Sequence, residues 1–329
     1  MSDIIGRQIE LGVGVEPTRG TPPGTVERWA KKVKATVVER AQKTVDPSTR
    51  NRLEDSLGAR VTTKWVEGVF EGVLHADLIG YFLYNLYGAV SSSWVASGVY
   101  QHTFSVGQSI QHPSLSLFAK DGSVQQKVYK RCMVRDVKLT AAINDLVRAA
   151  VQVIGADSAT SAASPSYSTE YDFIARDITL KFAASEGALA AATAIKATDV
   201  ELTIRQAVQP HHVIGSYVPD DIYNTDHGID LKFTRAFTDT TFKDLFLADT
   251  YQYVQLTIQG AADIGSGNNP TLTLTLNRAQ VMDWNRDGEA NSVVMEPIVV
   301  RAFYNESDGE MSTLVLKNKV AEYDSAPSA

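Results

Sequence analysis

The sequence predicts a mainly β protein built from two tandem β-sandwich or barrel domains, each with one short α-helix. Two observations carry this. Most apolar stretches alternate with polar residues at a period of two, as strands with one buried face do, and a strand-plus-helix unit is written twice. The first copy is Val61 to Tyr87, VTTKWVEGVFEGVLHADLIGYFLYNLY. Trp65, Val66, Val69 and Phe70 sit among Glu67, Gly68, Glu71 and Gly72. After Asp77 the period changes, and Leu78, Phe82 and Leu86, with Ile79 and Leu83, recur at steps of three and four. This predicts an amphipathic helix of about three turns against a sheet, opened by Asp77 and ended by Gly88. The second copy is Gly228 to Ala248, GIDLKFTRAFTDTTFKDLFLA, with Ile229, Leu231 and Phe233 in the strand and Phe242, Leu245 and Phe246 in the helix.

The chain in order fills in the rest. Ile4 to Val15 alternates weakly and runs into Glu16 to Thr25, where three prolines and two glycines forbid regular structure. Lys34 to Glu39 is a strand. Arg40 to Arg60 is polar and charged, a surface loop whose length implies a partner. After the first helix, Ser91 to Gly98 reads as a turn, and strands follow at Tyr100 to Val106, Ser114 to Phe118, Met133 to Leu139 and Leu146 to Val153. Gly155 to Ser166 is small and polar, a linker by composition. Further strands are Asp177 to Phe182 and Val200 to Ile204, with the Ala-rich run Ala183 to Ala194 between them as a short helix or tight loop. Beyond the second strand-plus-helix unit come strands at Tyr251 to Ile258, Thr271 to Leu276, Ala279 to Trp284, Val293 to Phe303 and Met311 to Val320. The domain boundaries are 1–156 and 169–323, with 157–168 as linker and 324–329 as a disordered tail.

Short matches in constant order support an internal repeat. KATVVE at Lys34 answers KATDVE at Lys196, Glu67-Gly68 answers His227-Gly228, and Tyr100-Gln101 answers Tyr251-Gln252. His112 to Leu117 answers Asn269 to Leu274, Met133 to Asp136 answers Gln280 to Asp283, and Ala150 to Val153 answers Ile298 to Arg301.

Composition narrows the function. The 329 residues suit two domains, and a hydrophobic content of 44% supports real cores. The apolar run Leu78 to Val90 is too short to span a membrane and holds Asn85; MSDIIGRQIELG lacks the apolar stretch of a signal peptide. One cysteine, Cys132, cannot make a disulfide framework, which suits synthesis in a reducing cytoplasm. A net charge of −7 argues against tight general binding to nucleic acid.

No motif marks an enzyme. Asp283 to Gly288 begins like a calcium loop, but its twelfth position is Val294, not Glu, so a turn is the better reading. His211-His212 lacks further ligands, and neighbours on an extended chain point apart. Asp220, Asp221, Asp226 and Asp230 read as charged surface, Gly265 to Gly267 lacks the Lys of a phosphate loop, and Cys132 reads as a small buried residue. No catalytic, cofactor-binding or metal residue is assigned.

Five segments carry a resemblance: GRQIELGVGVEPTRGT, TTKWVEGVFEGVLHADLIGYFLYNLYG, YQHTFSVGQSIQHPSLSLFAKDG, Gly187 to Ile195, and RAFYNESDGEM. In this order, from Gly6 to Tyr323, the chain resembles the major tail tube protein of long-tailed, siphovirus-type bacteriophages. The resemblance implies tail-tube-type domains whose strands assemble into a closed β-barrel tube, with a helix outside and long loops joining stacked rings. It implies a virion-tail component made in the host bacterial cytoplasm, without enzymatic activity or cofactor. Its partners would be copies of itself, the tape measure protein, the tail terminator and distal tail proteins, and DNA in transit without specific binding; no membrane is implied. A chain with two domains would form a homotrimeric ring of pseudo-sixfold symmetry, with a hexameric ring of whole chains as the alternative. Arg50, Arg52, Glu54, Asp55 and Arg60 are the candidate subunit or ring contacts, and Glu67 and Glu71 the candidate lumen residues, in a lumen whose negative charge would let DNA slide. The competing reading is a receptor- or carbohydrate-binding β-sandwich of a tail tip.

Overall fold

The computed structural model describes residues 5–31, 33–47, 50–51, 53–54 and 56–324. In chain order its strands are β1 (Ile9–Val15), β2 (Arg28–Ala30), β3 (Val33–Asp46), β4 (Gly58–Val73), β5 (Gly88–Ala96), β6 (Val99–Val106), β7 (Leu115–Asp121), β8 (Gln125–Ala142) and β9 (Arg148–Gly155). They continue as β10 (Asp157–Thr160), β11 (Ile178–Ala183), β12 (Ala197–His211), β13 (Asp221–Ala236), β14 (Gln252–Gln259), β15 (Thr271–Trp284), β16 (Met295–Ala302) and β17 (Ser312–Asn318). Helix α1 (Ala76–Tyr87) follows β4, and α2 (Thr241–Leu247) follows β13. Among the described residues no helix is long and apolar enough to cross a membrane.

All strand pairings are antiparallel, and they sort into layers. One layer of eight strands runs β3-β4-β9-β8-β12-β13-β16-β15. Over it lie β2-β1-β7-β8-β10 in the first half and β11-β14-β15-β17-β6-β5 in the second. The long strands β8 and β15 belong to both layers. Each changes layer where its register shifts, between Tyr129 and Cys132 in β8 and between Leu276 and Ala279 in β15, and each carries a bulge just inside the eight-stranded layer, between Val134 and Asp136 and between Val281 and Asp283. Apolar side chains from facing layers form one continuous core through both halves.

The pairing scheme of the first half recurs in the second: β1, β3, β4, β7, β8, β9 and β10 answer β11, β12, β13, β14, β15, β16 and β17. Local chemistry recurs with it. Phe70 meets Phe82 of α1 at a tilt with ring centres 5.6 Å apart, and Phe233 meets Phe242 of α2 edge-on at 5.3 Å. A bulge isolates Thr62 in β4 and Thr225 in β13, and each hydroxyl donates to the strand opposite, to Gln42 O and Ala207 O, both at 3.3 Å. Short 3-10 turns, Gly6–Gln8 and Ala175–Asp177, lead into β1 and β11. In each, the last side chain accepts from the residue before the turn: Ile5 N to Gln8 Oε1 at 3.0 Å and Ile174 N to Asp177 Oδ2 at 3.3 Å.

Several sequence expectations are corrected. About half of Arg40 to Arg60 is strand rather than loop: β3 extends to Asp46 and β4 begins at Gly58, so the segment's two ends pair as a two-stranded arm. Its many charges reflect two solvated faces. Ser91 to Gly98 is largely strand, because β5 pairs with β6. Asp157–Thr160 of the linker segment pair with β8, since small residues suffice where only backbone bonds are made. Helix α1 has the expected apolar periodicity but no solvent face; all of its residues are buried, because the sheet covers one side and β5, β6, β17 and the C-terminal segment cover the other. Gly88, at φ 86°, ends it as expected. Of the repeat matches, Met133 to Asp136 with Gln280 to Asp283 holds, bulge included. Others slip: Phe70 answers Phe233, so Glu67 answers Asp230 rather than His227, and Ala35, opposite Phe70, answers Val200, opposite Phe233. Val153, opposite Val134, answers Val300, opposite Val281, one residue from the sequence match. β6 has no counterpart, and β7 answers β14, so the Tyr100 and His112 matches are not equivalences. Short alternating segments match at several offsets, and bulges change the count.

Candidate assembly surface

The eight-stranded layer turns one face to the core and the other to solvent. Along β3 and β4, cross-strand pairing puts Lys34 beside Glu71, Val38 beside Glu67 and Arg40 beside Trp65 on the solvent face, and that face continues through Arg148, Lys138, Glu201, Arg205, Asp230, Lys232 and Arg301. Both sequence-derived lumen candidates, Glu67 and Glu71, are on it. The charges are paired across strands: Arg40 with Glu67 at 3.0 Å, Lys138 with Glu201 at 2.7 Å, Arg205 with Asp230 at 3.3 Å and Arg301 with Asp230 at 2.8 Å. The indole N–H of Trp65, with Arg40 behind it, holds the Glu67 carboxyl below its usual range, and Lys138 does the same for Glu201. Despite the acidic net charge of the chain, this face is an interleaved lattice of both signs. The pair Arg40–Glu67 is the first-half equivalent of Arg205–Asp230.

The layer does not close within one chain. Among the described residues β3 pairs only with β4, and Val281 to Trp284 of β15 pair only with β16. Their equivalents are joined: β12 pairs with β8 along Asp199–Arg205, opposite Ala142–Asp136. Two open edges therefore stand at the ends of a layer whose middle shows how such edges meet. At that internal junction Arg205 lies opposite Asp136; on the open edges the equivalent residues are Arg40 and Asp283.

Two arms extend from the layer and differ in cover. The second, β12 and β13 beyond Arg205 and Gly228, lies on the first half. Ile222 is fully buried with Met133 and Ala156, and Val208 packs there too. Arg19 in the proline-rich loop pairs with Asp221 at 2.6 Å and donates to Ile222 O at 2.6 Å. Burial opposes the charge on Asp221, but Arg19, the Ile222 N–H and Gln111 outweigh it and hold its carboxyl below the usual range. Asn224 accepts from His112 N and donates to Ser109 O, both at 3.0 Å. At the tip, Lys64 N donates to Tyr217 O at 2.6 Å. Glu16 anchors the loop that carries Arg19, accepting from Ser116 at 2.8 Å and Arg131 N at 2.9 Å.

The first arm, β3 and β4 beyond Glu39 and Val66, is open. Val45 is 55% exposed and Leu57, beside the strand end, 71%. Of the sequence-derived contact candidates, Arg60 is exposed on β4 opposite Thr44, and Arg50 and Glu54 are exposed in the connection. Arg52 and Asp55 lie outside the described residues. Sequence reasoning misses Arg19 and reads Asp221, which is buried against it, as charged surface; it reads Asp283 as the start of a calcium-like turn, although the shared Val-x-Asp spacing at Val134 and Val281 is the signal that pairs it with Asp136.

The residues considered for chemistry are absorbed by structure. Asp230 joins two ion pairs. The His211 ring lies 5.6 Å from that of Tyr223. Asp287 and Met295 exchange backbone bonds at 2.8 and 2.7 Å, so the calcium-like segment is the end of β15 and one side of an antiparallel bridge rather than the expected turn, which falls at residues 290–291. Cys132 is fully buried, and burial pushes its thiol well up. Among the described residues no three His, Cys, Asp or Glu side chains converge as a metal site.

A family model described as phage tail tube protein matches residues 6–300. No curated protein matches the chain. Among solved structures, the chain is similar to one in the cryo-EM structure of the anti-feeding prophage (AFP) baseplate, 6-fold symmetrised. The identity is 15% over 42% of this chain and 92% of that one, with a TM-score of 0.30.

Proposed function

We propose, since this chain belongs to the phage tail tube protein family and is a structural component of the virion tail rather than an enzyme, that three copies close edge to edge into a ring and that rings stack into the tube. The observation that carries this is the match between the open edges and the internal junction. Each half supplies four strands to the layer, and β8 meets β12 inside the chain. In the ring, β15 of one copy meets β3 of the next in the same register, with Asp283 opposite Arg40 as Asp136 is opposite Arg205. Closure removes two exposed edges that otherwise invite aggregation, and a head-to-tail contact that closes on itself gives a finite ring.

In this reading residues 1–156 and 169–323 are duplicated domains, and the ring has pseudo-sixfold symmetry. The solvent face of the layer, with Glu67 and Glu71, lines the lumen. Low adhesion to DNA then comes from cations already held by carboxylates, not from an excess of acid. Arg50, Glu54 and Arg60 of the first arm are contact residues. The tube belongs to a long siphovirus-type tail, with the tape measure protein inside and terminator and distal proteins at its ends. End-on cryo-electron micrographs of the assembled protein are expected to show rings of three chains with six similar lobes. Six whole chains per ring would remove the edge register, and a monomer at every concentration would remove the tube.

A further inference from the structure

The two arms are equivalent, yet one is seated and the other is not. They share the bulged threonine and its hydrogen bond, Thr62 to Gln42 O and Thr225 to Ala207 O, so their faces correspond residue by residue. Counting from the bulges, Ala59 answers Ile222, Val61 answers Asn224, and Val45 answers Pro210. On the second arm this face is covered: Ile222 is 0% and Asn224 8% exposed. On the first, Val45 and Ala59 are exposed. The seat of the second arm is also duplicated, because Met133 answers Gln280 and Ala156 answers Phe303. Around that second seat the surface is aromatic. Phe303 lies 6.1 Å from Tyr251 in an edge contact, and Tyr251 and Tyr304 are 42% and 55% exposed.

We propose that the first arm docks on the second half of the neighbouring copy within the same ring, laying Val45, Ala59 and Val61 against Gln280 and Phe303. The occupant is a second copy of this chain because the same fold seats the equivalent arm on the half beside it. The inference rests on the ring reading, and it departs from the expectation that long connections join rings along the axis. Arms then follow one another around the ring: the tip of the second arm already bonds the base of the first at Lys64 N, and the tip of the first reaches the base of the neighbour's second arm. Burying an apolar arm face also supplies a favourable contact that the paired charges of the lumen face do not.

The test uses two cysteine pairs in the full-length protein, whose Cys132 is fully buried. Ala59→Cys with Gln280→Cys probes the arm, and Arg40→Cys with Asp283→Cys probes the edges. Assembled protein is treated with a short bismaleimide for the first pair and oxidised for the second. Docking within the ring shifts the arm variant to covalent dimers and trimers with no larger species. An edge variant that links while the arm variant stays monomeric overturns the docking and leaves the ring standing. An arm ladder that continues beyond three chains overturns it in favour of contact between rings. Failure of both pairs in assembled protein overturns the ring reading and the docking with it.

Discussion

Replacing Tyr323 with Ala is expected to destabilise the chain by about 3–5 kcal/mol, the usual cost of truncating a buried aromatic side chain, as read by urea unfolding. Tyr323 lies at the end of the described chain and is fully buried. Its ring meets Tyr81 edge-on at 4.9 Å and His102 at 4.6 Å, its hydroxyl accepts from Asn318 Nδ2 at 2.6 Å, and it donates to Asp77 O at 3.3 Å. It closes α1 from the side away from the sheet. Gly80 explains why the helix tolerates a residue that costs helical stability: a Cβ there would stand 2.0 Å from Tyr323 Cζ. Gly80→Ala therefore should destabilise, although propensity alone favours Ala by about 1 kcal/mol. An unchanged or raised stability in Gly80→Ala would mean that Tyr323 does not seat against the helix.

Asn85→Leu is the second substitution with a large expected effect. The side chain is fully buried in α1 and bolts the helix to β8 at Cys132 and Val134, between the point where that strand changes layer and its bulge. Its oxygen accepts from Val134 N at 2.7 Å and Gln206 Nε2 at 3.4 Å, and its nitrogen donates to Pro113 O at 2.6 Å and Cys132 O at 3.3 Å. Leucine fills similar space but leaves the Val134 N–H and the Pro113 carbonyl without this partner. Each buried unsatisfied group costs about 1–3 kcal/mol, so a loss of about 2–5 kcal/mol is expected in the same measurement. A loss below about 1 kcal/mol would show that the bulge does not depend on this bond.

The β class and the strand-plus-helix unit were legible because they rest on alternation and on the change of period at Asp77, and the family was legible through the resemblance of five ordered segments. What was not legible follows from the same physics. Alternation says which face a residue takes but not which strand lies beside it, so the arms and the open edges could not be seen. Asn85 interrupts an apolar run and Gly80 lowers helix propensity; each is explained by a residue far along the chain, Val134 and Tyr323. Glu67 and Glu71 were placed on the polar face by pattern alone, whereas the Arg40 partner of Glu67 lay in a segment read as loop. The equivalence of Asp136 with Asp283 was present in the matched segments, but its meaning depends on the register in which β8 meets β12, with Asp136 opposite Arg205, which only the strand pairing shows.

The central claim is that β15 of one copy joins β3 of the next as β8 joins β12 within the chain. Facing residues of an antiparallel pair have Cα atoms about 4.5–5.5 Å apart, within the span of a disulfide. Oxidised tubes of the Arg40→Cys, Asp283→Cys variant should therefore give, on a non-reducing gel, a ladder of one, two and three chains that ends at three. Assembled tubes in which this pair forms no intermolecular bond, or a ladder that runs on past three chains, would contradict the account.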